Sequence, residues 1–239
     1  MDLKGKAAQR IGIEFQKSEI RNTKSRKGTL SPRDFTSETI LKILNLIKKL
    51  NADNSVTGIM VQMPLPENVR QETLRVVGAI SAEKDVDGLG PNNLGLILLG
   101  KERFLPATVK AVLDILDEMQ VDPAGKEVVI VGRSQIVGRP LAAALVNRDA
   151  VVTVAHSKTG NLAEVTRRGE VLISATGQAG LIKKDMVKPE AVVIDVGEPK
   201  ADVDEEVREV ASWLTPVPGG VGPVTVASLL ENVVKAGEV

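Results

Sequence analysis

Gly132-Arg133-Ser134 and then Val137-Gly138-Arg139-Pro140 stand between the apolar run KEVVIV and the helix-forming stretch PLAAAL. A strand that ends in a polar, glycine-bearing loop and restarts as a helix turns backbone N–H groups toward an anion, often a nucleotide phosphate. The spacing is not GxGxxG, so the loop alone also admits a plain tight turn. Pro140 suits the first turn of a helix, which favours the phosphate cradle. After the next apolar run, AVVTVA, come His156, Ser157, Lys158 and Thr159, where an NAD site would place an acidic residue for the ribose 2′-hydroxyl. These donors, with Arg133 near them, suit a 2′-phosphate, so charge favours NADP. His156 is the only histidine of the chain and reads as a strand-end residue satisfied by backbone, not as an acid–base group.

Three other stretches carry chemistry-bearing residues. Gln62 ends an apolar run in VQMPLP, before a rigid Pro-Leu-Pro exit. Asp85 and Asp87 share the loop KDVDGLGP, where paired carboxylates bind a metal, a base or their own backbone; spacing alone favours the local turn. TPVPGGVGPVT gathers prolines and glycines just before a helix, and so stiff and apolar a loop can lay bare amides against a flat ligand.

The elements that must position these residues follow from periodicity. KGKAAQRIG predicts a short helix and IGIEFQKS a strand, followed by a polar, basic loop from about Ser18 to Thr36. SETILKILNLIKKLN puts Ile40, Leu44, Ile47 and Leu50 on one helix face, and SVTGIMVQM predicts a buried strand. A helix follows Pro66. TVKAVLDILDEM opens a second series, with Thr108 as its expected N-cap and Val112, Ile115, Leu116 and Met119 as the apolar stripe. EVVIVG, AVVTVAH, EVLISATG and AVVIDVG then alternate with helical segments, which argues α/β architecture with a parallel sheet covered on both faces.

Composition narrows the field of functions. The 239 residues are 43% hydrophobic and 26% charged, as in a globular protein of one large or two modest domains. Thirty-one basic side chains balance 31 acidic ones, so no net field favours nucleic acid or an anionic membrane. The absence of cysteine excludes disulfides and thiolate metal sites, and the absence of tyrosine excludes any chemistry that needs one. No signal peptide or apolar run of about 18 residues is present, which makes the cytoplasm the default location.

PVPGGVGPVT, VGRSQIVGRP, KDVDG and VQMPLP, in combination, resemble the methylenetetrahydrofolate dehydrogenase/methenyltetrahydrofolate cyclohydrolase family from about Lys4 to the C-terminus. The resemblance implies a folate-side α/β domain over 1–107, completed by the C-terminal helix 224–239, and a Rossmann-like NADP-binding domain over 108–223, with a cleft between them. It implies a homodimer, tetrahydrofolate derivatives as substrates, and no membrane or nucleic-acid partner. The implied reaction is hydride transfer from 5,10-methylenetetrahydrofolate to NADP⁺ and hydrolysis of the 5,10-methenyl product to 10-formyltetrahydrofolate, with no metal.

By the same resemblance Lys4 is the proton-handling lysine, hydrogen-bonded to Gln62. Asp87 is the folate-binding aspartate, with Val61, Gln62, Met63, Pro218, Gly219, Gly220, Val221 and Gly222 along the folate. Gly132, Arg133, Ser134 and Ser157 fall on the NADP side, and Glu198 stands where an apolar residue usually meets the nicotinamide. The tyrosine that the family carries four positions before the lysine would fall one position before Met1, so the resemblance implies a folate domain lacking its N-terminal segment. A second reading follows, an NADP-binding fragment or pseudoenzyme without a competent folate site; some other NADP dehydrogenase is a third. Lys17, Arg21, Lys24, Arg26 and Lys27 of the basic loop read as solvated in preference to a polyglutamate site.

Overall fold

The computed structural model describes residues 2–20 and 32–238. Contacts divide the chain into two compact units, Met1–Gly95 with Leu229–Val239, and Leu96–Ser228.

In the first unit α1 (Asp2–Arg10) forms where a short helix is expected and buries Ala8. Gly5 lies so close to the Phe15 ring that a Cβ there would stand 3.1 Å from Cδ1. The strand expected over IGIEFQKS does not form. Ile13 donates its N–H to Ala8 O at 3.0 Å, and residues 14–20 have no ladder partner among the described residues. Alternation in I-G-I-E-F supplies a strand-like face, but a strand exists only where a neighbour takes up its hydrogen bonds.

α2 (Pro32–Ala52) begins earlier than expected, so Pro32–Thr36, read as loop, are helical. A proline at the first position has φ pre-set for a helix and lacks only an N–H that would be unbonded there. The remaining basic-loop residues Arg21, Lys24, Arg26 and Lys27 lie outside the described residues, and Lys17 pairs with Glu19. Ile40 and Ile47 are buried, with Leu44 and Leu50 packed beside them, in a cluster with Ile59, Leu65, Val69, Val76 and Ile80.

SVTGIMVQM is not the buried strand expected of it. One isolated parallel bridge, Ile59↔Asp85, is its only pairing among the described residues, and of 55–63 only Ile59 is buried. A 3-10 turn (Glu67–Glu72) leads into α3 (Thr73–Val77), as expected after Pro66. α4 (Pro91–Leu98) follows.

The second unit opens with α5 (Ala107–Glu118), on which Val112, Ile115 and Leu116 are buried as expected. Its N-cap is Pro106, not Thr108; Pro106 holds an extended backbone, and its carbonyl takes the first helical bond from Lys110 at 2.9 Å. Then come β1 (Glu127–Val131), α6 (Gly138–Val146), β2 (Val151–Ala155), α7 (Leu162–Thr166), β3 (Val171–Ser174), β4 (Val192–Asp195), β5 (Trp213–Leu214) and α8 (Val221–Gly237), whose residues from Leu229 on belong to the first unit. All strand pairs are parallel, in the order β2-β1-β3-β4-β5. Val128, Val129, Ile130 and Val131 are all buried, so both faces of the central strand are covered. β5, only two residues long, carries no periodic signal; its Trp213 is 41% exposed and pairs with Val192.

Candidate functional site

In this strand order the chain leaves β1 toward β2 on one side and returns to β3 on the other. The switch point therefore lies between β1 and β3, at whose carboxyl ends open α/β sheets bind ligands. Gly132 sits there with φ +127°, and a Cβ on it would overlap the carbonyl oxygen of Ala175, the residue after β3. A Cβ on Gly138, at the start of α6, would overlap the carbonyl of Gly132. Two glycines thus let the loop fold back on itself with bare backbone outward.

Ser134 Oγ accepts the N–H groups of Val137 (3.1 Å) and Gly138 (3.4 Å), which folds the loop ahead of α6, whose N-cap is Val137. The amides of Arg133, Ser134, Gln135 and Ile136 have no acceptor among the described residues, and these side chains are exposed. Unpaired amides ahead of a helix N-terminus are the donor set a phosphate takes. β2 ends level with β1, Val131 opposite Ala155, so the segment after β2 leaves the same end of the sheet. There Ser157 and Lys158 are exposed, and His156 is engaged as expected, its Nδ1 accepting the Lys158 N–H at 3.1 Å. No carboxylate stands at that strand end.

Asp195, at the end of β4, is buried, and its carboxylate accepts the N–H groups of Gly197 (2.7 Å), Asp202 (3.2 Å) and Val203 (2.9 Å). Burial raises its pKa against those hydrogen bonds. The loop it anchors exposes Glu198, whose Oε2 would be 3.9 Å from a Cβ on Gly222. Pro218 and Gly219 are exposed, Gly219 with φ +104°, while Val221 is buried as α8 begins.

In the first unit, KDVDG acts as four successive devices. Lys84 Nζ donates to the carbonyls of Leu50 (3.1 Å), Asn51 (3.0 Å) and Asp53 (2.6 Å), closing the C-terminus of α2. Asp85 is buried and accepts from Gly90 N (2.7 Å) and Asn93 Nδ2 (2.9 Å), so for Asp85 the local-turn reading holds. Val86 fills the space against Gly58, and its carbonyl takes Asn232 Nδ2 of α8 at 2.9 Å.

Asp87 remains, half-buried, with no hydrogen bond among the described residues. Burial pushes its carboxyl up to about 6, opposed by the Lys4 ammonium and reinforced by Asp85. Lys4, on the first turn of α1, lies with Nζ 3.9 Å from Met60 Sδ. A carboxyl raised toward neutrality beside an ammonium is an arrangement that can serve proton transfer.

The Lys4–Gln62 hydrogen bond implied by the resemblance is not made. Gln62 is exposed and donates Nε2 to Met63 O at 3.0 Å, while Val61 and Met63 are half-buried. Lys84 and Asn232, which help to hold the Asp87 loop, give no sign of that role in the sequence, since their partners lie 31 to 146 residues away; Asn93, eight residues from Asp85, is closer but is not marked out by the sequence. Among the described residues no cluster of three His, Cys, Asp or Glu could hold a metal, and no helix is long and apolar enough to cross a membrane.

Residues 1–87 match the family described as tetrahydrofolate dehydrogenase/cyclohydrolase, catalytic domain, and residues 106–239 match its NAD(P)-binding domain. The bifunctional protein FolD of Exiguobacterium sibiricum is 46% identical over 242 residues, covering 98% of this chain and 82% of its own length. The crystal structure of the bifunctional FolD dehydrogenase/cyclohydrolase from Campylobacter jejuni superposes with a TM-score of 0.87 at 40% identity, over 99% of this chain and 82% of that one. That of the Trypanosoma brucei enzyme, complexed with NADP and an inhibitor, gives 0.86 at 34% identity, over 99% and 80%. Both halves match in order, the nucleotide-type switch point in one and the Asp87 loop in the other: the chain belongs to the tetrahydrofolate dehydrogenase/cyclohydrolase family.

Proposed function

We propose that the chain oxidises 5,10-methylenetetrahydrofolate to the 5,10-methenyl form with NADP⁺ and hydrolyses that product to 10-formyltetrahydrofolate. The observation that carries this reading is Asp87, presented by KDVDG without a hydrogen bond, its carboxyl at about 6 and in the field of Lys4. On the cofactor side Gly132, Arg133, Ser134 and Ser157 hold the phosphates, and Glu198 borders the nicotinamide. The glycine cradle and its free amides fit such a group. Bound NADP⁺ supplies a hydride acceptor. NADP is preferred to NAD because Ser157 and Lys158 stand where an acidic residue would be needed for a free 2′-hydroxyl, with Arg133 on the β1 loop as a further cation; the T. brucei relative holds NADP.

The substrate carbon lies between two nitrogens that share its developing positive charge, so the oxidation asks of the protein chiefly alignment. Val61, Gln62, Met63 and Asp87, together with the loop Pro218, Gly219, Gly220, Val221 and Gly222, are assigned to that task. Hydrolysis asks for more. Water adds to the methenyl carbon, one proton leaves the new hydroxyl, and one must reach the departing nitrogen; Lys4 Nζ is the group assigned to move them. A homodimer, a cytoplasmic location and a place in the one-carbon chemistry behind purine biosynthesis belong to the same reading and rest on family resemblance.

Lys4→Met lowers the cyclohydrolase rate by about 10²- to 10⁴-fold and the dehydrogenase rate much less. Both activities unchanged would make Lys4 a surface lysine. The Gln62 amide, bonded to Met63 O and not to Lys4, favours the second reading, an NADP-binding protein without folate turnover. That reading is established if the unmodified chain binds NADP⁺ but converts neither folate.

A further inference from the structure

We propose that Asp202 is a positioning residue for the cofactor side, setting the path of the turn through Ala175, Thr176 and Gly177 that closes against Gly132. The inference rests on the NADP reading above.

Asp202 is fully buried, and its Oδ2 accepts Ser174 Oγ (3.1 Å), Thr176 N (2.6 Å) and Gly177 N (3.2 Å). Three donors from the end of β3 and the turn beyond it converge on one oxygen. The other oxygen, Oδ1, is buried with no partner. Asp202 is itself held from β4, because its N–H and that of Val203 donate to the Asp195 carboxylate.

A buried carboxylate with an unmatched oxygen costs stability, and an apolar or neutral hydrogen-bonded side chain would serve a merely packed core better. What the carboxylate achieves is geometric. It pins two successive amides of the turn that leaves the sheet at the switch point. The residue just before them, Ala175, donates its N–H to Val131 O at 2.8 Å and presents the carbonyl against which Gly132 closes. Asp202 therefore fixes the wall on which the β1 loop is set, although its own side chain is shut away from solvent.

The test is calorimetric titration of the full chain with NADP⁺, alongside steady-state kinetics for both substrates and thermal unfolding. In Asp202→Ala two amides lose their acceptor, and NADP⁺ affinity and KM weaken about tenfold while the folate KM stays within about twofold. Asp202→Asn keeps an acceptor for the turn and brings NADP⁺ affinity back to within about threefold of the unmodified chain. A lower unfolding temperature with NADP⁺ affinity unchanged, or with both KM values shifted together, overturns the proposal.

If Asp202→Ala does not fold, Ser174→Ala replaces it. That variant removes the hydroxyl that orients the carboxylate and weakens NADP⁺ about threefold at an unchanged folate KM; full NADP⁺ affinity again overturns the proposal. An unmodified chain that uses NADP⁺, beside variants that bind it equally well, defeats this inference alone. An unmodified chain that binds no NADP⁺ defeats the reading beneath it too.

Discussion

Around Gly132 the chain hangs from a five-stranded parallel ladder, whereas the loop bearing Asp87 has one bridge, Ile59↔Asp85, and local turn hydrogen bonds such as Gly88 N–H to Asp85 O, and is tied to the rest of its unit by side chains. Lys84 closes α2, Asp85 gathers Gly90 and Asn93, and Asn232 reaches in from α8. A ladder is made of backbone and tolerates side-chain change, but where it ends it leaves no room for a Cβ at Gly132 or Gly138. A loop tied by side chains inverts those sensitivities: it accommodates small backbone shifts and fails when one polar group is lost. Cofactor affinity should accordingly break at glycines, and folate chemistry at polar residues remote from the reacting atoms.

The largest effect expected of that contrast is at Gly138. Its added methyl group in Gly138→Ala overlaps Gly132 O and forces the loop open, at a cost of about 3 kcal/mol or roughly a hundredfold in NADP⁺ affinity. Titration with NADP⁺ reads this directly, and an alanine variant of full affinity would erase the contrast from the cofactor side.

Next is Lys84→Met, which removes three charge-assisted bonds to the end of α2 and costs about 2 kcal/mol. Hydrogen exchange should quicken in residues 40–59 and leave the β1 and β3 amides alone, with NADP⁺ binding intact. Equal loss of protection in both units would mean that they do not differ as described.

The smallest is a pH effect at Asp87. Its carboxyl titrates at about 6 in the folded chain against an ordinary 3.8, so between these values the folded state holds the proton more firmly. Stability therefore falls as pH rises from 3.8 to about 6, and above that range the charged, half-buried group is a standing cost. Asp87→Asn should gain about 1 kcal/mol over the unmodified chain at pH 8, less than the full linkage of the shift because water still reaches and screens the half-buried carboxylate, and the gain should nearly vanish at pH 4. Chemical unfolding at the two pH values measures it; a gap of constant size would place the carboxyl at its ordinary pKa.

How much of this the sequence displays follows the same divide. EVVIVG, EVLISATG and AVVIDVG are legible because a strand buried on both faces writes its environment into a continuous apolar run, AVVTVAH on the sheet edge is rich enough in β-branched residues to read alike, and β1 to β4 appear where those runs stand. The loop VGRSQIVGRP is legible because the glycines that its close approach needs are adjacent to its strand. By contrast IGIEFQKS, by alternation, and SVTGIMVQM, by its apolar run, both read as strands and form none, since pairing depends on a neighbour that local pattern cannot specify.

Asp85 and Asp87 are two positions apart and chemically identical in the sequence. Only Gly90 and Asn93 on one, and Lys4 beside the other, distinguish a turn-former from a titrating group. Thr108 reads as a cap by residue type, yet the backbone of Pro106 turns first. Asp202 gives no local sign at all, because its partners at Ser174, Thr176 and Gly177 lie far back along the chain.

Trp213 on the two-residue strand β5 is the only tryptophan of a chain with no tyrosine. The second unit therefore carries the only indole of a protein without phenols, and with excitation at the red edge of indole absorption, where phenylalanine does not absorb, the first unit is silent. Emission during denaturation follows the sheet alone, while helical circular dichroism follows both units. The interval between the two curves is thus an unlabelled optical measure of whether the folate-side unit and the cofactor-side unit melt together.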